Sequence, residues 1–457
     1  MNFILLGHMN LQLHQQIDLF IRSLGSFGEG VGSYEGLTFF VEGALPDETV
    51  SIQITELKKN YGRGKLLKIL TPSPDRATPP CPIFRQCGGC QLMHLGYPKQ
   101  LEMKRQIVLN ALERIGHLKN ISIDPCVSSP QELEYRNKIQ LPVMMKPDGL
   151  TVGLYARNSH TIIPVDHCLI HCEQGETVYQ SVLKLLKQSD IAPYDERTGK
   201  GVLRHLLIKS ALQTSESLVI LVTSQEKCTS LQALAQQIMQ ACPEVKGVIQ
   251  NINRKRDNVI LGTDWHTLAG KSYIREMICD HHFHISPSAF FQVNPAQAES
   301  IYQHVLSLAD LDKTKTFLDA FCGVGTMTLI AAGQAKECIG IECVPQAIED
   351  ANANAQLNQI SNAVFYCDHA ESKIQSLKDI DVVFLNPPRK GCEESLLNRL
   401  KIVKPETILY MSCDPATLAR DLKILVQHGY QIEQVTPFDM FPQTAHVETV
   451  VKLTLHH

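Results

Sequence analysis

The chain has 457 residues and carries 43 Lys and Arg against 47 Asp and Glu, a formal net charge of −4. This length predicts two to four domains that each bury a core, and the ordinary shares of hydrophobic and charged residues exclude the collagenous, disordered and coiled-coil classes. Fifteen cysteines, without a secretory leader or the spacing of a disulfide framework, favour a reducing compartment. No apolar run reaches the length of a membrane helix. We therefore expect a cytoplasmic protein that does not associate with membranes. We also expect it to be a monomer.

The first predicted domain, residues 16–75, is a small OB-like β-barrel. Short β-like runs, such as LTFFVEG and TVSIQITEL, alternate with glycine-rich turns at the spacing that small barrels show. A linker with five prolines in twelve residues, TPSPDRATPPCP, ends this domain, because neither a helix nor a central strand tolerates that composition.

The barrel carries a basic segment with one aromatic side chain, TELKKNYGRGKLLK (residues 55–68). Basic charge beside a ring that can stack on a base is typical of single-stranded RNA recognition, although a solvated charged hairpin has the same composition. The candidate RNA-binding residues are Lys58, Lys59, Tyr61, Arg63 and Lys65. The positive charge of the chain is concentrated between Lys58 and Lys119, so the net charge of −4 conceals it. The strand around Arg204, His205 and Lys209 is a weaker candidate.

Residues 76–270 form a predicted α+β central domain, which opens with Cys81, Cys87 and Cys90. Three thiols at this spacing predict a metal site whose fourth ligand comes from elsewhere in the chain. The candidates are Cys126, Cys168 and Cys172. The spacing of these cysteines agrees with a structural zinc site as well as it agrees with an iron–sulfur cluster.

In the third predicted domain, residues 271–457, strand-like runs such as TFLDAF, ECIGIE, DVVFLNPP and ETILYMSC alternate with helical stretches. That alternation is typical of a Rossmann-like, doubly wound parallel sheet. The first of these strands ends in a glycine loop with Gly323 and Gly325, and Glu342 closes the next strand seventeen residues after Gly325. Thr328 stands where a dinucleotide-binding protein has its third glycine, which lowers the case for NAD. Asp368 follows the third strand, so this edge of the sheet could bind an adenosine-containing cofactor. The same pattern is also consistent with an ordinary strand-loop-helix unit that carries a surface acid.

Seven motifs together resemble the class I RNA uracil-5-methyltransferases that use S-adenosylmethionine, in the 23S ribosomal RNA branch with an N-terminal TRAM domain. The motifs are FVEGALPDE, YRNK, FFQVNP, FCGVG, NPPRKG, SCDPATLARD and HVETV. The resemblance implies an α/β multidomain enzyme with a TRAM-like barrel, an iron–sulfur domain and a catalytic domain. It also implies that part of residues 93–120 packs on the catalytic domain.

The resemblance also assigns roles to residues. It implies that Cys413 is the nucleophile that adds to carbon 6 of uracil, and that Glu448 is the base that removes the carbon 5 proton. Carbon 5 is a poor nucleophile until such an adduct forms, and a thiolate before the helix near Pro415 is expected to gain from the helix dipole. The resemblance places Gln292, Phe321, Thr326 and Glu342 around the methyl donor. Gly323, Gly325 and Asp368 of the same edge complete the candidate donor site, together with Asn386, which departs from the Asp expected at that place. Cys168 is implied as the fourth ligand of a 4Fe-4S cluster.

Two other functions fit parts of the pattern. Asn386-Pro387-Pro388 also begins the loop of methyltransferases that act on exocyclic amines, but Arg389 replaces the aromatic residue that stacks on their flipped base. A non-catalytic RNA-binding or ribosome-assembly factor could keep the same fold. Intact Cys413 and Glu448 argue against it.

Overall fold

A computed structural model describes residues 11–147, 149–157, 159–226 and 228–456. Five strands form a closed barrel at the N-terminus, with the order β1-β2-β3-β5-β4. They are β1 (Gln16–Leu24), β2 (Gly30–Tyr34), β3 (Leu37–Val41), β4 (Thr49–Leu57) and β5 (Tyr61–Thr71). In the first part of β1 every second residue is apolar and buried, namely Ile17, Leu19 and Ile21, because alternate side chains of a barrel strand point inwards. The predicted small barrel is confirmed.

The middle of the chain forms a seven-stranded sheet that two helices cover on one face. After α1 (Tyr97–Arg114), the elements are β6 (Lys138–Lys146), β7 (Gly149–Tyr155), β8 (Ile162–Pro164), α2 (Glu173–Gln188), β9 (Leu203–Ala211), β10 (Glu216–Thr223), α3 (Thr229–Ala241), β11 (Val245–Ile252) and β12 (Asp264–Gly270). The strand order is β12-β11-β10-β9-β6-β7-β8. Every residue of β9 and β10 is buried. This follows because α2 and α3 pack on one face of the sheet, whereas the other face packs on the C-terminal part of the chain.

The C-terminal part contains a second seven-stranded sheet, preceded by a hairpin. Its elements are β13 (Ile274–Ile278), β14 (His281–Ile285), α4 (Pro295–Ala309), β15 (Thr316–Asp319), α5 (Thr326–Ala332), β16 (Glu337–Glu342), α6 (Pro345–Leu357), β17 (Ala363–Cys367), α7 (Ala370–Lys373), a 3-10 turn (Ile374–Ser376), β18 (Val382–Leu385), α8 (Glu394–Val403), β19 (Thr407–Ser412), α9 (Pro415–Gln427), β20 (Tyr430–Phe438) and β21 (Glu448–Leu455). The order β17-β16-β15-β18-β19-β21-β20 has five parallel strands, with β21 antiparallel to β19. The predicted doubly wound sheet is present, and the antiparallel pair at its edge is an addition.

Helix α1 packs on the C-terminal sheet rather than on the central one. Its apolar face joins a core that includes Leu418 and Leu422 of α9. Lys104 of α1 is fully buried, and its ammonium donates to the Asp439 carboxylate and to the Phe441 carbonyl at 3.1 Å. Within the described ranges, no helix is long and apolar enough to cross a membrane.

Candidate active site

The carboxyl ends of the parallel strands open into a cavity of about 640 Å³, called the main cavity below. Of the residues that the sequence predicted, it is lined by Gln292, Phe321, Gly323, Glu342, Asp368, Asn386, Cys413 and Glu448. Thr326 lines a recess of about 50 Å³ that shares Gln292, Phe321 and Asn386 with the main cavity. Gly325 lines neither and instead caps the start of α5. The structure thus gathers residues from five separate motifs at one sheet edge, where open α/β sheets bind their ligands.

The glycine loop has the backbone conformation that requires glycine. Gly323 and Gly325 both have positive φ, at 53° and 83°, and a Cβ on Gly325 would lie 3.0 Å from the Phe365 ring. Thr328 is buried and donates to the Asp319 carboxylate at 3.0 Å. Asp319 also accepts from the Phe321 backbone N–H at 3.3 Å, so it fixes the loop from below. Burial raises the pKa of Asp319 to about 7. No sequence pattern singled out Asp319 as a site residue, although it ends the first strand of the motif.

Two carboxylates, Glu342 and Asp368, border the main cavity at the ends of neighbouring strands. Glu342 accepts from the Val344 backbone N–H at 3.0 Å, and Asp368 accepts from the His369 N–H at 2.7 Å. These bonds hold both side chains beside the glycine loop. Carboxylates in this position can accept hydrogen bonds from ribose hydroxyls or from a base amine.

Cys413 and Glu448 are brought together by the antiparallel pairing of β19 with β21, in which Ser412 lies opposite Thr449. Glu448 is 3% exposed, and burial raises its pKa to about 8. Burial also raises the pKa of Cys413 to about 11, and the negative charge of Glu448 adds to this effect. Cys413 lies directly before α9, as expected, but burial outweighs any stabilisation of its thiolate by the start of that helix. Asp414 caps α9 and accepts from the Ala416 and Thr417 N–H groups, while burial dominates at the thiol.

Arg389, in the loop after β18, is the cation that acts on both groups. Its charge lowers the pKa of Cys413 and also that of Glu448, opposing the effect of burial. From the sequence, Arg389 counted only as evidence against amine methylation. Its position directly after the Asn-Pro-Pro loop could have identified it as a residue of the site. Phe441 and His446, which also line the main cavity, carried no such signal beyond their position near Glu448.

We expect Arg389→Gln to slow alkylation of Cys413 by iodoacetamide about threefold at pH 9.5. At that pH Glu448 is ionised and most of Cys413 is still protonated, so losing the Arg389 charge raises the pKa of the thiol and lowers the thiolate fraction. Peptide mass spectrometry reads this thiol separately from the other fourteen. Lys390→Gln is the control, since Lys390 pairs with Glu393. Equal rates in the wild type and Arg389→Gln would contradict the assignment.

We expect Glu448→Gln to be more stable than the wild type at high pH. Between pH 4.5 and 8 the native carboxyl keeps its proton while the unfolded one loses it. The free energy of unfolding of the wild type therefore falls, by about 1.4 kcal/mol per pH unit at most, whereas glutamine has no proton to lose. Thermal melts at pH 5, 7 and 9 should show a gap that widens with pH. Glu394→Gln, at an exposed position of α8, is the control.

Four cysteines, Cys81, Cys87, Cys90 and Cys168, line a second cavity of about 370 Å³, the cysteine cavity. It adjoins the main cavity, because Arg389, Phe441 and His446 border both.

Of the three candidates for a fourth thiol, the structure places only Cys168 there. Cys126 is buried near Lys104 and Asp439, and the sulfur of Cys172 caps α2 at 3.4 Å from the Gly175 nitrogen. Burial raises the pKa of Cys90 to about 12 and that of Cys168 to about 11.

The four thiols share a cavity without surrounding one point. Among the described residues, no group of three or more His, Cys, Asp or Glu side chains is arranged to hold a metal ion. The Gly89 N–H points at the Cys87 sulfur at 3.3 Å, as expected for a tight glycine turn beside a sulfur ligand. Neither of the alternatives left open by the spacing, zinc or an iron–sulfur cluster, finds support in this arrangement. The four thiols are soft ligands that line a shared cavity.

The basic segment of the barrel runs through the turn between β4 and β5. Lys58, Lys59, Arg63 and Lys65 are exposed, and Tyr61 is half-buried with its ring edge-on to Phe40 at 5.8 Å. Glu56 pairs with Lys58 at 3.1 Å and with Arg63 at 3.4 Å, which removes part of the positive charge. The Arg63 guanidinium lies 6.0 Å from the Tyr61 ring centre, so cation and aromatic ring are presented together.

Comparisons with known proteins agree with this arrangement. The family described as tRNA (Uracil-5-)-methyltransferase matches residues 96–456, and the TRAM domain matches residues 13–67. The chain is 41% identical over 444 residues to an uncharacterized RNA methyltransferase of Halalkalibacterium halodurans, covering 96% of this chain and 97% of that protein. It is also 41% identical over 450 residues to an uncharacterized RNA methyltransferase of Listeria monocytogenes, covering 98% and 99%.

A solved structure resembles nearly the whole chain. It is the crystal structure of the Pyrococcus abyssi tRNA (uracil-54, C5)-methyltransferase in complex with S-adenosyl-L-homocysteine, with a TM-score of 0.77 and 28% identity. The match covers 96% of this chain and 100% of that one. The chain therefore belongs to the tRNA (uracil-5-)-methyltransferase family, as its motifs predicted, and is an S-adenosylmethionine-dependent RNA (uracil-5-)-methyltransferase with an N-terminal TRAM domain.

Proposed function

We propose that this enzyme methylates carbon 5 of a uridine in 23S ribosomal RNA through a covalent adduct with Cys413, and that it acts as a monomer. The observation that carries the mechanism is the meeting of Cys413 and Glu448 in the main cavity, beside the glycine loop and its carboxylates. The ribosomal target rests on the resemblance of the motifs to that branch. Since the P. abyssi relative is named for uracil 54 of transfer RNA, transfer RNA is the competing substrate.

The proposed mechanism begins with a uridine that is flipped into the main cavity, because carbons 5 and 6 are covered by neighbouring bases in stacked RNA. The Cys413 thiolate adds to carbon 6, and the electron pair of the former double bond moves to carbon 5 as an enolate. S-adenosylmethionine supplies an electrophilic methyl group, which carbon 5 takes as S-adenosylhomocysteine leaves. Arg389, which opposes the effect of burial at Cys413, helps to populate the thiolate.

Glu448 then removes the proton of carbon 5. The electron pair of that C–H bond re-forms the double bond, and the sulfur of Cys413 leaves carbon 6 as a thiolate. A pKa near 8 suits this step, because a base whose pKa lies near the working pH is both ionised and strong enough to take a proton. Burial supplies that pKa and also keeps water from the adduct.

We propose that the glycine-loop edge holds the methyl donor. Glu342 and Asp368 would accept from the ribose and the base, and the loop of Phe321 and Gly323 would pass beneath the donor. Gly325 would shape the loop through its positive φ. Gln292, Thr326 and Asn386, which meet around the small recess, would lie between donor and uracil. An amide at position 386 can donate to a uracil oxygen where a carboxylate can only accept.

The direct test is a tritium-release assay on RNA labelled at carbon 5, comparing 23S ribosomal and transfer RNA transcripts. Release from the ribosomal RNA alone supports the proposal, and release from transfer RNA alone would contradict the target. Methylation without tritium release would indicate amine chemistry instead. Mapping 5-methyluridine in RNA from cells with and without the protein then locates the uridine.

We also propose that Cys81, Cys87, Cys90 and Cys168 hold a 4Fe-4S cluster. The support is that these four thiols line one cavity, and in such a cluster each thiolate binds a different iron, so the ligands need not converge on one point. The cluster would supply structural support or an RNA contact, since the proposed methyl transfer moves no single electrons. Anaerobically purified protein should contain about four iron atoms and four acid-labile sulfides per chain. Stoichiometric zinc without iron would contradict this.

We expect the barrel to bind RNA through its basic turn. Lys59→Gln and Lys65→Gln together should weaken RNA binding and reduce the slope of log affinity against log salt by about 0.7 per lost phosphate contact. Filter binding of 23S ribosomal RNA between 50 and 200 mM salt measures both quantities. Lys184→Gln, at an exposed position of α2, is the matched control. An unchanged salt slope would mean that the turn is only a solvated hairpin.

A further inference from the structure

The central sheet carries a third cavity, of about 260 Å³, at the ends of β6 and β9. Among its lining residues are Tyr155, His160, Tyr194, Glu196, Arg204 and His205. None of the described residues that line it also lines the main cavity or the cysteine cavity. We call this third cavity the sheet pocket. The proposed methyl-transfer mechanism gives it no role.

Two buried side chains in the sheet pocket have polar atoms without a partner. Arg204 is 5% exposed and His205 is 6% exposed. In the described part of the chain, neither Nε of Arg204 nor Nδ1 of His205 has a hydrogen-bond partner. Buried polar atoms are nearly always hydrogen-bonded in folded proteins, so these two atoms are candidates for hydrogen bonds to a ligand.

The backbone is shaped so that both side chains reach the sheet pocket. Val222 of β10 lies opposite His205 and Thr223 lies opposite Leu203, so the pairing skips Arg204. A skipped residue of this kind redirects a side chain, and such irregularities are frequent next to binding sites. The Asn253 and Lys255 carbonyls accept from the Arg204 guanidinium at 2.9 and 2.6 Å, which holds its orientation.

The walls of the sheet pocket suit a flat, uncharged ring. The Arg204 guanidinium lies 5.0 Å from the Tyr194 ring centre, and Tyr155 meets His160 edge-on at 6.0 Å. Glu196 pairs with Arg204 at 3.5 Å, so the positive charge that a phosphate would need is largely balanced. Burial lowers the pKa of His205 to about 4. Its imidazole is therefore neutral near pH 7 and can donate or accept one hydrogen bond at Nδ1.

One face of β9 runs from the sheet pocket towards the catalytic part of the chain. Along β9, His205, Leu207 and Lys209 lie on one face, because alternate residues of a strand do. Leu207 packs in the core shared with the C-terminal part. Lys209 donates to the Ser286 and Ala289 carbonyls, just before Phe290, which lines the main cavity. The four residue-to-residue steps from His205 to Lys209 span about 13 Å of strand, a distance that a short stretch of single-stranded RNA covers.

We propose that the sheet pocket binds a second base of the substrate RNA, unpaired and distinct from the methylated uridine, between the Tyr155 and Tyr194 side chains with its edge on Arg204 and His205. This inference rests on the proposed function for the identity of the substrate. It gives the enzyme a means of selecting RNA by a nucleotide that it does not modify.

The test uses Tyr155→Leu and Tyr194→Leu in the full chain, with Tyr273→Leu as the control. Tyr273 is also half-buried, stacks on His284 at 4.2 Å and does not line the sheet pocket. With unmodified 23S ribosomal RNA, each pocket variant should raise KM about tenfold, the effect of losing one stacked base, and leave kcat within about twofold. The control should leave both unchanged. If KM is unchanged in both pocket variants while the wild type methylates 23S ribosomal RNA, the inference about the sheet pocket is wrong and the proposed function stands.

A second measurement reads the sheet pocket without turnover. Met144 and Met145 line it, and Met145 is 59% exposed, so their labelled methyl groups report on its occupation by NMR. Adding the four ribonucleoside 5′-monophosphates should shift these two signals in the wild type and much less in Tyr194→Leu. If the wild type fails to methylate 23S ribosomal RNA but the signals shift, the proposed target fails and the base pocket stands. If none of the four nucleotides shifts these signals, the sheet pocket does not bind a base and the inference is wrong. That result is also the one expected if the pocket binds a protein partner instead.

Discussion

Replacing Cys413 with alanine should abolish methyl transfer and leave the binding of S-adenosylmethionine unchanged. Without the thiol nothing adds to carbon 6, and carbon 5 stays a poor nucleophile. We expect the rate to fall by at least about 10⁴-fold, as it does when a covalent nucleophile is removed from other enzymes. Cys413 is only half-buried, so the smaller alanine should cost little stability. Tritium release measures turnover, and isothermal titration calorimetry measures donor binding.

Cys343→Ala provides the control for this substitution. Cys343 is an exposed thiol that lines the same main cavity, but it lies next to Glu342, beside the glycine loop. Its loss should change turnover by less than about threefold, since it supplies no atom to the proposed reaction. Turnover by Cys413→Ala above one per cent of the wild-type rate would rule out the adduct. Loss of donor binding in Cys413→Ala would instead indicate a damaged cavity.

Much of the fold was predictable because its signals are local. The alternation of Ile17, Leu19 and Ile21 along β1 follows from one strand lying against one core. The parallel sheet follows from regular strand and helix runs, and the glycine loop from Gly323 and Gly325. These patterns depend on neighbours a few residues apart, so the sequence displays them directly.

The features that could not be predicted depend on contacts between distant residues. Lys104 lies on an amphipathic helix, where local periodicity places lysine in water, yet its ammonium is buried against Asp439. The pKa of Cys413 was expected to fall and is raised instead, by burial and by the Glu448 charge. Glu448 belongs to β21, an antiparallel strand that no local pattern places beside Cys413. Only the family resemblance connected Cys413 with Glu448 before the structure did.

Replacing Glu448 with glutamine should trap the enzyme on its RNA. Glutamine keeps the size and the hydrogen-bonding capacity of the side chain but cannot take a proton, so the reaction should stop after methyl transfer with the RNA still bonded to Cys413. Multiple turnover should fall about 10²- to 10⁴-fold, the usual contribution of a general base. With a tritiated methyl donor, a denaturing gel should show one labelled band in which protein and RNA migrate together.

The double variant Cys413→Ala/Glu448→Gln decides whether the trapped species is the proposed adduct. It lacks the sulfur that would hold the RNA, so the labelled band should disappear while the protein keeps its fold. A band that survives in the double variant would place the covalent bond elsewhere, for instance on Cys343, which shares the main cavity. Full turnover in Glu448→Gln would show that another group removes the carbon 5 proton. Of the side chains that line the main cavity, His446 is then the next base to replace, because burial lowers its pKa and leaves the imidazole neutral near pH 7.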